Sequence, residues 1–217
     1  MRIVKIEDLH CNAGWRDFSF LKITTDSGIV GWSEFMENFG SEGLGTVIGR
    51  LGERLIGQDP RPVEKITAFL HGVTRQAPGG INQQAIAAIE NALVDVKAKA
   101  LGIPVCELLG GPVRDRLQLY WSHCGTWRVS FADRIKEWTG WDPIRSLADV
   151  EKAGAEVAKR GFKGLKTNMM RFDADKPYIH MPGFNGSGWP ELNCDSAVVD
   201  AVVAEMTAFR KGAGNRV

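Results

Sequence analysis

The chain has 217 residues, enough to bury a substantial core as one large domain or two modest ones. Its formal net charge is +1, with acids and bases interspersed, so it carries no electrostatic footprint for nucleic acid or an anionic membrane. No apolar run approaches the ~20 residues a membrane helix requires, and the N-terminal residues contain no apolar signal-peptide core. Residues 2–8 alternate Ile3, Val4 and Ile6 with charged side chains, and residues 18–24 alternate in the same way. Asp26-Ser27-Gly28 then turns into residues 29–34, which predicts an antiparallel hairpin. Between the first two strands, His10 to Asp17 is polar apart from Trp15. It reads either as a surface loop or as a flap over a substrate, with Arg16 beside the aromatic ring.

Three helices are expected next. Leu44, Val47, Ile48, Leu51 and Leu55 share one face of the first. Pro62 is placed to open the second, with Val63, Ile66, Phe69, Leu70 and Val73 inward. Ile86, Ile89, Leu93 and Val96 hold a clean helical period in the third, with Ala85, Ala88, Ala92 and Ala100 permitting close approach. Gly102 ends it and Pro104 blocks its restart. A hairpin sheet followed by packed helices predicts an α+β domain over residues 1–112.

From residue 113 the pattern changes. Residues 117–123 read as a strand, and a tryptophan-rich connection runs from Thr126 to Pro143. Ser146-x-x-Asp149 opens a helix with Leu147, Val150, Ala153 and Val157 inward. A second strand is expected at 162–167 and an irregular segment at 169–194. A helix from Asp195 follows, with Val198, Val202, Met206 and Phe209 on one face. Strand–helix–strand–helix is the start of an α/β unit with parallel strands. The four cysteines (Cys11, Cys106, Cys124, Cys194) lack CxxC spacing, which argues against a zinc site and fits a reducing cytoplasm.

Three motifs carry a family resemblance. Residues 88–111 read AI..AL.D...KA.G.PV..LLGG, Gly31-Trp32-Ser33-Glu34 closes the hairpin, and Gly161-Phe162-Lys163-Gly164-Leu165-Lys166-Thr167-Asn168 ends the second barrel strand. In order and spacing they resemble the mandelate racemase/muconate lactonizing branch of the enolase superfamily. The resemblance implies an α+β capping domain followed by a modified, TIM-like (β/α) barrel, here only its first two β/α units over 113–217. It also implies Mg²⁺, abstraction of a proton α to a carboxylate, and a small-molecule carboxylate substrate, with no nucleic-acid or membrane partner and a homo-oligomer at full length. Such sites combine a Lys or His base with Mg²⁺ because the developing enediolate needs cationic stabilisation.

The second lysine of the family's KxK motif is replaced by Asn168, and an amide cannot take a proton. The Lys166-x-Asn168 form resembles the sugar-acid dehydratases of the branch, carbon–oxygen lyases. Lys166 and Asn168 are therefore the expected catalytic pair, with Trp15, Arg16 and His123 expected to bind substrate. Glu34 and Asn38 read as structural or solvated. The family's acidic metal ligands sit on barrel strands three to five, and this sequence supplies none of those strands. Two alternatives stand beside the dehydratase: a racemase or epimerase with Lys166 as base, and a truncated, non-catalytic fragment. Residues 173–190 read as a lid or subunit interface that buries Tyr178, Met181, Phe184 and Trp189 around His180. Asp173 and Asp175 are spaced like oxygen ligands but are too few for a metal site.

Overall fold

The computed structural model describes residues 1–14, 16–38, 40–184, 194–215 and 217. These form two compact units, Met1–Val113 and Arg114–Val217.

In the first unit, strands β1 (Ile3–Asn12), β2 (Asp17–Thr25) and β3 (Val30–Phe35) form an antiparallel sheet in the order β1-β2-β3. The expected loop from His10 to Asp17 is shorter than the sequence suggests. The β1–β2 ladder runs on through His10 opposite Ser19 to Asn12 opposite Asp17. Strand β2 shows why the sheet forms: Ser19, Leu21, Ile23 and Thr25 are buried, a strict period of two that gives one face to the core.

Helices α1 (Leu44–Glu53), α2 (Val63–Val73) and α3 (Gly80–Leu101) follow, with the short α4 (Val105–Leu108) behind them. Leu21, Ile23, Leu44, Ile48, Leu70, Ile89 and Leu93 lie in one core. Gly31 is what lets β3 approach α3, since a Cβ there would lie 2.2 Å from the Ala92 carbonyl oxygen. Helix α3 also satisfies the outer edge of β3. Asp95 accepts from the Trp32 amide at 2.8 Å, and Lys99 donates to the Val30 carbonyl at 2.8 Å. That edge therefore offers fewer free groups to another strand. Gly102 closes α3 with φ 69°, its amide reaching Lys99 while Ile103 reaches Ala98.

Two expected faces are narrower than drawn. Phe69 and Val73 stay exposed on α2, and Ala100 is exposed near the end of α3, because the core contacts only one flank of each helix. Helix α1 has no side-chain cap of its own. Glu37 supplies one, its Oε1 accepting from the amides of Gly43 at 3.0 Å and Gly45 at 3.1 Å. Replacing Glu37 with alanine is expected to cost about 1 kcal/mol, read by urea unfolding.

In the second unit the parallel pairing is present but minimal. The expected strands at 117–123 and 162–167 reduce to a single parallel bridge between Trp121 and Leu165. Trp121 donates to the Gly164 carbonyl and Lys166 to the Trp121 carbonyl, at 3.0 and 2.9 Å. Among the described residues no third strand flanks this pair, so Leu117, Leu119 and Tyr120 remain exposed and without ladder partners.

The tryptophan-rich connection holds two short helices, α5 (Thr126–Ser130) and α6 (Ala132–Thr139). Helix α7 (Leu147–Lys159) starts as expected, with Ser146 accepting from the Asp149 amide. Val150, Ala153 and Val157 are buried, while Leu147 in the first turn is exposed. The segment after Asn168 contains a small hairpin of β4 (Met170–Arg171) and β5 (Tyr178–Ile179). Helix α8 (Ser196–Ala213) is capped by Asp195, whose side chain accepts from the Val198 amide at 2.8 Å.

The inward face of α8 is rotated from the expected one. Glu205 and Phe209 are buried, whereas Val202 and Met206 are exposed. Helix α8 meets α7 closely at two glycines: a Cβ on Gly212 would lie 1.8 Å from the Glu151 carbonyl oxygen, and one on Gly154 would lie 2.5 Å from that of Phe209. No helix among the described residues is long and apolar enough to cross a membrane.

Candidate active site

The residues around Asn168 are drawn together by the chain's path after the Trp121–Leu165 bridge. His123 has φ 52°, the one non-glycine residue with positive φ among those described. That left-handed step breaks the ladder, so Cys124 rather than His123 donates to the Lys166 carbonyl, at 2.8 Å. It also aims the imidazole at the neighbouring strand. His123 Nδ1 lies 3.0 Å from Asn168 Oδ1, and its ring lies 5.1 Å from that of Trp127.

Thr126, at the start of α5, completes the arrangement. Its hydroxyl donates to Asn168 Oδ1 at 3.2 Å and accepts from the Asn168 amide at 3.3 Å. Thr167 Oγ1 donates to the Cys124 carbonyl at 2.7 Å, tying the two segments once more. The Asn168 oxygen thus faces two protein groups, while among the described residues its Nδ2 meets only the Met181 sulfur, at 3.6 Å. A thioether is a weak acceptor, so the amide N–H groups remain available to a ligand.

Lys166 is held through its backbone on both sides, and its side chain is exposed with no ion pair to a described residue. His123 and Asn168 are therefore in direct contact, and Lys166 lies two residues before Asn168 on the same segment.

The other expected site residues belong to other parts of the chain. Trp15 lies outside the described residues. Arg16 folds onto its own sheet in the first unit, 3.6 Å from Glu34 and with its guanidinium carbon 4.7 Å from the centre of the Phe18 ring. Glu34, expected to be structural or solvated, is thus an ion-pair partner. Asp173 is engaged by Arg171, which holds its carboxyl below the usual range, and Asp175 is exposed. Of the expected lid side chains, Met181 packs at Asn168, but Tyr178 and Phe184 are 39% and 52% exposed because the small hairpin leaves their outer faces uncovered. Trp189 lies outside the described residues.

Among the described residues, no group of three or more His, Cys, Asp or Glu side chains is placed to hold a metal ion. The site as described therefore does not by itself fit the Mg²⁺ that the resemblance implies.

Glu205 is a buried residue that the helical pattern did not single out. It is 1% exposed, its Oε2 accepts from the Met170 amide at 2.9 Å, and its Oε1 has no partner among the described residues. Burial pushes its carboxyl up to about 7. The folded state therefore holds a proton that the unfolded chain releases near 4.5, so stability should fall as pH rises from 4.5 to 7. The expected loss is of the order of 3 kcal/mol. Urea unfolding of Glu205→Gln at pH 5 and pH 8 should lack that slope. The signal in the sequence is a lone carboxylate between Ala201, Ala208 and Gly212 at helical spacing, a stripe overshadowed by the larger aliphatics.

Residues 12–110 match the mandelate racemase/muconate lactonizing enzyme N-terminal domain. A D-galactonate dehydratase of Pectobacterium atrosepticum is 32% identical over all of this chain, which covers 47% of that relative. A Burkholderia xenovorans LB400 structure, provisionally named an L-alanine-DL-glutamate epimerase and bound to magnesium and fumarate, superposes with a TM-score of 0.91. It is 43% identical, and the match covers 100% of this chain and 53% of that one.

This chain belongs to the mandelate racemase/muconate lactonizing branch of the enolase superfamily.

A Salmonella Typhimurium enolase-superfamily member, 23% identical over 100% of this chain and 53% of its own, shares the fold with a TM-score of 0.79. The first unit is the superfamily's α+β capping domain and the second the start of its (β/α) barrel. The chain spans about half the length of the curated relatives it matches.

Proposed function

We propose that this member of the superfamily contributes the carboxylate-binding side of a site that removes the proton α to the carboxylate of a sugar acid and then expels the β-hydroxyl. The C2 proton leaves first, the C3 hydroxyl departs as water with a second proton, and the resulting enol tautomerises to a 2-keto-3-deoxy acid. In this reading the exposed ammonium of Lys166 meets the substrate carboxylate. Asn168 donates through Nδ2 to a substrate oxygen, since its own oxygen is committed to His123 and Thr126. His123 lines the same edge and holds the amide in that orientation.

The observation that carries this reading is the orientation of Asn168. Where two-base relatives place a second lysine, this site presents an N–H donor that cannot accept a proton. The curated relatives named D-galactonate dehydratase support the same substrate class. No step is assigned to a metal ion, because the described residues provide no ligand set for one.

One observation favours a second reading. The Burkholderia relative at 43% identity carries an epimerase name, which fits proton removal by Lys166 without loss of the hydroxyl. The two readings separate in one assay. The product of the complete open reading frame, supplied with Mg²⁺, is offered D-galactonate and its stereoisomers, and 2-keto acids are trapped with semicarbazide. Keto-acid formation is the expected result, whereas stereoisomer interconversion without keto acid would establish the epimerase.

A further inference from the structure

We infer that Glu205 is a positioning residue, holding the end of the second barrel strand from helix α8 and thereby setting the orientation of Asn168. The path is contiguous. Glu205 Oε2 accepts from the Met170 amide at 2.9 Å, two residues beyond Asn168. Met170 is itself 1% exposed, and its side chain presses on the turn at Gly125, where a Cβ would lie 2.6 Å from Met170 Cε and 2.7 Å from Ile144 Cδ1. Gly125, with φ 83°, is the residue from which α5 starts, and Thr126 immediately after it grips Asn168 through both its hydroxyl and the Asn168 amide. A displacement of Met170 therefore reaches Asn168 by two routes: along the strand and back through the turn.

The carboxylate is an unexpected choice for this place. It is buried in the unit whose core includes Cys124, Ile144, Val157, Met170 and Phe209, where a leucine would bury more apolar surface. Retaining a buried acid costs stability, and what it secures here is a directional bond to one backbone amide, with the Thr167 hydroxyl also close to the carboxyl. An apolar residue could fill the space but could not fix the strand in register along its own axis.

This inference rests on the proposed role of Asn168 for its importance, but its test does not need activity. Amide and side-chain resonances of the chain are assigned by NMR at one fixed pH, with His123 retained, so that titration of neighbouring groups does not contribute. Glu205→Gln keeps an acceptor for the Met170 amide, whereas Glu205→Leu removes it. In the Leu variant the Met170 amide proton should move upfield, and the Asn168 side-chain NH₂ signals should shift and exchange faster with solvent. In the Gln variant both sets should stay close to those of the Glu205 parent. The inference is overturned if the Asn168 signals are the same in the Leu variant and the parent, or if Gln disturbs them as much as Leu does. Should Leu prevent folding, the Gln comparison still decides: a shift of the Asn168 side-chain signals as large as that in Thr126→Val, which removes a hydroxyl partner of the same amide, would exclude positioning through a neutral acceptor.

Discussion

Replacing Lys166 with methionine is expected to lower kcat/KM of the complete gene product for its sugar acid by about 10²–10³-fold, the usual cost of losing one preorganised charge beside a developing oxyanion. The physical reason is local. Lys166 is fixed through backbone bonds to Trp121 and Cys124, and its ammonium is exposed without a described ionic partner. Methionine keeps much of the length and removes only the charge. Because the side chain is exposed, urea midpoints of the variant and the parent should agree within about 0.5 kcal/mol. Lys166→Arg should recover part of the lost rate, since it restores a cation with different geometry. A fall in activity matched by a fall in stability would instead assign Lys166 a structural role.

The largest stability effect is expected at Gly212. A Cβ there would lie 1.8 Å from the Glu151 carbonyl oxygen and 2.9 Å from the Ala155 amide nitrogen, both backbone atoms of α7. Neither can step aside as a side chain could, so Gly212→Ala must push α8 away from α7. The expected cost is about 3 kcal/mol, at the upper end of overpacking effects. It should be visible as an earlier urea transition of the second unit. Gly154, where the nearest atom is Phe209 O at 2.5 Å, should follow with a smaller loss. Gly49 in α1 provides the contrast. It has nothing within 4 Å, so its change to alanine should stabilise the helix by about 0.5–1 kcal/mol. Equal effects at the three positions would mean that backbone approach is not what sets the α7–α8 packing.

These glycines also mark where the sequence was easy to read and where it was not. The sheet and α3 were legible because period-two and period-3.6 patterns coincide with real burial: Leu21 and Ile23 on one strand face, Ile86, Ile89, Leu93 and Val96 on one helix face. Helix α8 was legible in part: Phe209 is buried as its pattern suggests, whereas Val202 and Met206 are exposed and Glu205 is buried, near the close approach of Gly212 to α7. The barrel strands were overdrawn: of the expected runs at 117–123 and 162–167 only the Trp121–Leu165 bridge pairs, since a lone pair of strands is marginal without further strands beside it.

At the candidate site, Lys166, Asn168 and His123 could be singled out from motif position. Thr126 could not, because its role depends on the left-handed turn at His123 and the start of α5, and neither leaves a compositional trace. Glu205 was hidden for a related reason: a carboxylate on a helix reads as solvated until the packing of the small residues beside it is known.

The most direct test of the account follows deuterium. The complete gene product, with Mg²⁺ and D-galactonate in D₂O, is examined by proton NMR for label in both product and recovered substrate. The account predicts a 2-keto-3-deoxy acid carrying one deuterium at C3, from tautomerisation of the enol, and loss of this product in Lys166→Met. Deuterium at C2 of recovered or epimerised substrate with no keto acid would contradict it, and would make Lys166 the base of an epimerase.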